Sequence, residues 1–330
     1  MDPSFRIRPC TDVEEACHYF LKWPVREGWN HSPDDQEIRQ AFYPSDPNGF
    51  LVGTVRDKET GKETVVCTVI AMRHNDDVAF LGCFIVDNAH RGKGYGTVLF
   101  KHALKRLETC RFVGLESMYP MVPRYQKIGF DIGWTSTTLR GDMIENVLNK
   151  ISKVDGQDIS IVDLTERAKI DSSLGQQLAA VENKYTGMDR PVFWKNWLTL
   201  HTSKDAAQHG RHAVAVLDAD GNVAHIGFIR PAVLGFVTTL FCSDAHIAST
   251  LLRHLVQWVI DSTSSPSWAL PKNHDLTVDA NACSANPTAL ALYEDLGFKV
   301  ASGRKRMWLS GLSPKSDHSG IYGVGSLTVG

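Results

Sequence analysis

Val78-Ala79-Phe80-Leu81-Gly82-Cys83-Phe84-Ile85-Val86, followed by Asp87-Asn88-Ala89-His90, Arg91-Gly92-Lys93-Gly94-Tyr95-Gly96 and Thr97-Val98-Leu99-Phe100-Lys101-His102-Ala103-Leu104-Lys105-Arg106-Leu107, is the stretch that decides the fold. Its opening run is apolar and reads as a buried strand; its closing run reads as an amphipathic helix. A glycine-rich turn therefore joins a strand to a helix N-terminus. Such a turn offers free backbone N–H groups and the positive end of the helix dipole to an anion. Gly92, Gly94 and Gly96 let the backbone approach that anion with no Cβ in the way. The expected ligand is a diphosphate.

The spacing narrows the choice of diphosphate. A Walker loop needs G-K-[ST], and here Lys93 is followed by Gly94. A dinucleotide fingerprint needs G-x-G-x-x-G, and here the spacing is G-x-G-x-G. What fits is R-x-x-G-x-G from Arg91 to Gly96, which resembles the coenzyme A pyrophosphate loop of the GNAT acetyltransferase superfamily.

Upstream, Phe5 to Cys10 reads as a first strand and Thr11-Asp12-Val13-Glu14 as a capped helix start. Gly49–Val55 and Thr64–Met72 read as a hairpin about the turn Lys58–Lys62, and Phe112–Glu116 as a strand after the helix. The order β-α-β-β-β-α-β predicts an α+β fold with a mostly antiparallel sheet. Arg124-Tyr125-Gln126-Lys127-Ile128-Gly129-Phe130 resembles the helix end that closes GNAT domains.

A length of 330 residues suggests two domains at about 150 residues each, and a hydrophobic fraction of 43% suffices for a core in both. With a net charge of −2 there is no basic footprint for nucleic acid. No apolar run is long enough to suggest a membrane span, and the N-terminus has no apolar signal region. The seven scattered cysteines read as reduced core residues of an intracellular, cytoplasmic protein. His201, His209 and His212 do not make a metal-ligand spacing, so no metal is expected.

The second half repeats the first weakly. His212–Leu217 and Ala224–Arg230 form a hairpin about Asp218–Asn222. A strand (Phe236–Phe241), a helix (Ala248–Ile260) and a strand (Leu276–Ala280) follow. Asn286–Phe298 is a second match to the closing GNAT helix. The apolar-poor segment 146–156 is read as a linker between an N-terminal domain, 1–145, and a C-terminal GNAT-like domain, 157–330. Cys242-Ser243-Asp244-Ala245-His246-Ile247-Ala248 has no glycine where the second anion loop would be, and Asp244 would repel a pyrophosphate. One coenzyme site is expected, in the first half.

The whole chain resembles a two-domain GNAT subfamily. The resemblance rests on the coenzyme A loop, Glu27-Gly28-Trp29-Asn30, Asp46–Phe50, Tyr185–Arg190, Gly227–Arg230 and Arg306-Met307. It implies tandem GNAT-like domains, each a mixed sheet flanked by helices, and an acetyl-coenzyme A-dependent transfer of an acetyl group to an amine by direct attack. Anchoring would fall to the N–H groups from Gly92 to Thr97, Tyr95 and Gly96 included, with Arg91 and Lys93 as charged support. The backbone of Phe84, Ile85 and Val86 would pair with pantetheine, and the N–H of Ile85 or Val86 would face the thioester oxygen.

Tyr125 is the candidate general acid, because a phenol holds its proton at neutral pH and can pass it to a thiolate. Its other reading is a packing residue, and Pro120 and Pro123 interrupt the turn before it, so it is expected to sit displaced. Glu116 is the candidate base by position; capping, or pairing with a lysine, is its other reading. Trp29 and Asn30 border the expected acceptor groove, as a flat wall or as plain packing. In the second half Tyr185, Asp189 and Arg190 are candidates for the acceptor, Asp189 for an ammonium and Arg190 for a carboxylate; a salt bridge between domains is the alternative. The expected acceptor is a small-molecule amine. A coenzyme-sensing regulator and a protein lysine or N-terminal acetyltransferase are the alternatives, and a homodimer stays open.

Overall fold

The structure, a computed structural model, describes residues 2–151 and 159–330. In the first half the elements run β1 (Arg6–Pro9), α1 (Val13–Arg26), α2 (Tyr43–Ser45), β2 (Phe50–Arg56), β3 (Glu63–Arg73), β4 (Val78–Val86), α3 (Tyr95–Arg106), β5 (Phe112–Met118), α4 (Val122–Gln126), β6 (Phe130–Met143) and α5 (Ile144–Ile151). In the second half they run β7 (Val162–Asp163), α6 (Leu164–Arg167), α7 (Leu174–Thr186), α8 (Pro191–Thr202), β8 (His212–Leu217), β9 (Val223–Pro231), β10 (Phe236–Phe241), α9 (Ala245–Thr263), β11 (Thr277–Cys283), α10 (Pro287–Asp295), β12 (Lys299–Leu309) and β13 (Ile321–Gly323).

Local chemistry explains several of the boundaries. Asp12 caps α1 by accepting from the Glu15 N–H at 2.8 Å, and Asp244 caps α9 by accepting from the Ile247 N–H at 3.0 Å. In the second half, therefore, a carboxylate already occupies the helix end that binds an anion in a glycine loop. Pro120 and Pro123 allow only a 3-10 turn over Tyr119–Met121 and the five-residue α4. The segment expected as a linker begins as helix. Residues 146–151 belong to α5, whose Ile144, Val147 and Ile151 are buried against α9 and the strands of the second half. Residues 152–156 of that expectation lie outside the described residues.

The strands form one sheet in the order β1-β2-β3-β4-β5-β12-β6-β11-β10-β9-β8-β7, with β13 on β10. Within it the two halves mirror each other: β4 pairs parallel with β5, and β10 parallel with β11. Each parallel pair is joined by a crossover through a helix, α3 or α9. The last strands of the halves are exchanged. From the second half, β12 lies antiparallel to β5 (Arg306 opposite Glu116), while β6 of the first half lies antiparallel to β11 (Asp279 opposite Arg140). The two repeats are thus one sheet.

The core follows the same plan. Leu99, Phe100 and Ala103 of α3 and Leu107 at its end pack on one face of the first half, and Leu251, Leu252, Leu255 and Val259 of α9 pack in the second. A further cluster joins both halves, with Phe20, Phe42 and Phe50 from the first and Trp194, Trp197 and Phe228 from the second. Phe42 stacks on Trp197 with ring centroids 5.8 Å apart. All seven cysteines are free thiols, buried in these cores. No described helix is long and apolar enough to cross a membrane.

Candidate active site

The ladder between β4 and β5 stops at Leu81 opposite Leu115. Just beyond, the β3–β4 register shifts and Cys83 takes a left-handed backbone, φ 45°. A bulge there turns the end of β4 away from β5. The remaining residues, Gly82 to Val86, form an edge facing a cleft of about 930 Å³.

At one end of the cleft is the glycine loop. Gly92 and Gly94 have φ 77° and 85°, and a Cβ at either would meet nothing within 4 Å, so their backbone is open to a ligand. Gly94 caps α3 without a side-chain hydrogen bond. A Cβ on Gly96 would fall 2.6 Å from Val86 Cγ2, so this glycine lets the first turn of α3 close on β4. The Thr97 N–H is engaged by the Gly94 carbonyl at 3.1 Å and is not free for a phosphate, contrary to the sequence-based expectation. The hydroxyl of Thr97 accepts from Arg124 Nη2 at 3.0 Å, which brings to the loop a cation that the sequence did not suggest. Arg91 donates from Nε to the Val86 carbonyl and from Nη2 to both oxygens of Glu27, at 2.9 Å each. It ties the 27–30 loop to β4. Lys93 is exposed and does not line the cleft.

Phe84, Ile85, Val86 and Tyr125 line the cleft next to the loop. The Tyr125 ring packs between Phe100 and Phe130, with centroids at 5.4 and 6.1 Å. Burial pushes its phenol up to about 12, so it stays protonated throughout the neutral range. Glu116 also faces the cleft, but its carboxylate is engaged. Oε1 accepts from Arg306 Nε and from the Ser136 hydroxyl, each at 2.7 Å, while Oε2 is buried with no partner. Arg306 in turn lies over the rings of Phe80 and Trp134. Glu116 is thus the counter-ion of a buried arginine.

The other end of the cleft is built by both halves. Trp29 and Asn30 line it; the Asn30 amide donates to Asp279 Oδ2 at 3.1 Å, and its oxygen accepts from the Leu234 N–H at 2.8 Å. Asp279 is bound by Arg140 through two bonds of 2.8 and 2.7 Å. Arg230 pairs with buried Glu37 at 3.0 Å. These cleft residues of the second half, with Asn281 and Arg304, were not assigned by sequence. The segment Gly227–Arg230 was singled out there, but nothing local marked it as facing this cavity.

Residues 326–328 form the floor. A Cβ on Gly82 would fall 1.8 Å from the Thr328 carbonyl oxygen, so this tail runs directly against β4. Arg230 donates to the Gly325 carbonyl at 3.1 Å, and the Asn281 carbonyl accepts from the Val324 N–H at 2.9 Å. Arg190 explains itself here. It does not line the cleft but is 3% exposed, paired with Glu182 and bonded to the carbonyls of Val329 and Gly330 at 3.0 Å each. Tyr185 is in the core against Gly320, and Asp189 is exposed on the surface with its carbonyl accepting from Asn75. The expected acceptor trio of Tyr185, Asp189 and Arg190 is therefore corrected: Arg190 clamps the tail and the other two lie away from the cleft. Among the described residues no group of three or more His, Cys, Asp or Glu is arranged to hold a metal ion.

Residues 13–130 match the Acetyltransferase (GNAT) family. Over 321 residues the chain is 26% identical to the holothin acyltransferase of Pseudoalteromonas sp. (strain SANK 73390), spanning 94% of this chain and 90% of that protein. Among solved structures, it resembles a putative acetyltransferase from Pyrococcus horikoshii with a TM-score of 0.66 at 16% identity, over 100% of this chain and 97% of that one. It also resembles a tandem GNAT protein from the clavulanic acid biosynthesis pathway, with a TM-score of 0.59 at 15% identity over 94% and 99% of the two chains.

Proposed function

We propose that this chain, which belongs to the GNAT acetyltransferase family and is an N-acyltransferase, transfers an acetyl group from acetyl-coenzyme A to the amine of a small molecule. One observation carries the reading. A single cleft has an open glycine loop at a helix N-terminus at one end and polar side chains from both halves at the other. The loop is suited to a pyrophosphate, with N–H groups of Gly92, Gly94, Tyr95 and Gly96 and the charge of Arg124. The splayed edge of β4 offers backbone groups to an extended pantetheine arm, and an N–H at Ile85 or Val86 to the thioester oxygen. Tyr125 holds a proton for the departing thiolate. The proton of the attacking amine leaves to water, since Glu116 is engaged by Arg306. A small acceptor, rather than a protein side chain, is favoured because strands of the second half wall the acceptor end.

The test is isothermal titration with acetyl-coenzyme A, comparing the wild type with Gly94→Glu. Glutamate at the helix cap puts a negative charge and a strained left-handed backbone at the loop. Binding by the wild type and its loss in the variant support the reading. Equal binding by both moves the coenzyme elsewhere, and no binding by the wild type sinks the proposal.

A further inference from the structure

Four carboxylates line the cleft, and each has its arginine: Glu27 with Arg91, Glu37 with Arg230, Asp279 with Arg140, Glu116 with Arg306. Two arginines of the lining are left over. Arg124 is beside the glycine loop, bonded to Thr97. Arg304 is in the other part of the cleft, and its guanidinium has no hydrogen bond or ion pair to any described residue. Its neighbours across the sheet are Met118 and Ser136. It is two residues along β12 from Arg306, so both point to the face on which Glu116 lies. Glu116, the acid whose charge reaches it among the described residues, is taken by Arg306.

A partly buried guanidinium with no ion-pair partner of its own is costly, and burial lowers its pKa. An incoming oxyanion removes that cost, and the planar fork of an arginine is matched to carboxylate or phosphate oxygens. The coenzyme's own phosphates do not suit the role. Arg304 is on β12, two strands from β4 in the sheet, with β5 between it and the splayed edge that leads to the glycine loop.

We propose that the acceptor is an amine bearing an oxyanionic group, and that Arg304 binds that group. This rests on the acyltransferase reading above and adds to it a substrate class: amino-carboxylates or their phosphonate or phosphate counterparts, rather than simple alkylamines.

The experiment uses wild type, Arg304→Gln and Arg304→Lys. Each is first titrated with acetyl-coenzyme A; then, loaded with coenzyme A, with 4-aminobutyrate, 3-aminopropylphosphonate and n-butylamine. In the wild type at least one anionic amine is expected to bind about 10- to 100-fold more tightly than n-butylamine. That preference disappears in Arg304→Gln and survives in part in Arg304→Lys. The two anionic probes separate a carboxylate from a phosphorus oxyanion. Equal binding of all three amines, no binding of either anionic amine, or an undiminished preference in Arg304→Gln overturns the proposal. So does a loss of acetyl-coenzyme A affinity in a folded Arg304→Gln, which would give the arginine to the coenzyme. Failure of the wild type in the first titration is a failure of the acyltransferase reading itself.

Discussion

Tyr125 is a core side chain that the function proposed above also uses as a reagent. Its ring closes the aromatic group formed with Phe100 and Phe130, while its phenol faces the cleft with no hydrogen bond from a described residue. With its pKa pushed up to about 12 it keeps its proton near neutrality, and under the proposed reading it shares that proton with the departing thiolate. Tyr125→Phe keeps the packing and removes only the proton. We expect kcat to fall about 100-fold with KM for acetyl-coenzyme A little changed. A variant with wild-type kcat would reduce Tyr125 to a packing residue and leave thiolate protonation to solvent. Glu116, also in the cleft, is a carboxylate held by Arg306 and Ser136.

At the scale of elements, the cleft depends on β4 being abandoned by one neighbour and supported by a tail. The bulge at Cys83 opens β4 from β5, and residues 326–328 run beneath the opening. Gly82→Ala tests that support, because the added methyl carbon would be 1.8 Å from the Thr328 carbonyl oxygen, a backbone atom held by the Arg230 and Arg190 clamps on either side. We expect a lower melting temperature, corresponding to about 1–3 kcal/mol of overpacking strain, and slower acetyl transfer. An unchanged melting temperature and rate would show that the tail moves freely and does not shape the cleft. The elements that carry local signals were legible in the sequence. Apolar runs gave β4 and the β2–β3 and β8–β9 hairpins, glycines gave the open turn before α3, and Asp244 marked the second helix start as different. What sequence did not reveal is which strands become neighbours. β12 lies between β5 and β6 through backbone pairing that no residue pattern encodes, and Arg140, Asp279 and Arg304 reach the cleft only because of it. Arg190 was misread for a related reason: an arginine clamping carbonyls of a distant tail looks in sequence like one awaiting a carboxylate. Residues 146–151 looked like part of a linker because their few apolar side chains are spaced to cover one helix face, as Val147 and Ile151 do.

For the whole molecule, exchange of the last strands means that neither half has a complete sheet of its own. The halves should therefore unfold together, in one transition. The pH dependence of that transition follows from four buried histidines spread over both halves. Burial lowers His31 and His212 to about 4, and His74 and His201 well below their usual value of 6.5. The folded protein keeps these rings neutral while the unfolded chain protonates them, so between about pH 6.5 and pH 4 the unfolded state binds more protons. Stability is then fully present above pH 6.5 and falls as the medium is acidified, by up to about 1.4 kcal/mol per pH unit for each histidine. His201 has the fewest means of escape, because its Nδ1 is committed to the Trp197 carbonyl at 2.9 Å and its Nε2 is buried with no partner. The check is urea unfolding of the coenzyme-free protein at pH 7.5, 6.5, 5.5 and 4.5, followed both by tryptophan fluorescence and by far-ultraviolet circular dichroism. A single midpoint shared by both probes, little changed down to pH 6.5 and falling steeply below it, is expected. Two separated midpoints would mean that the halves are independent despite the shared sheet. A single midpoint that stays flat to pH 4.5 would mean that the buried imidazoles find water or a proton acceptor without unfolding, and that acid stability is set by the carboxylates alone.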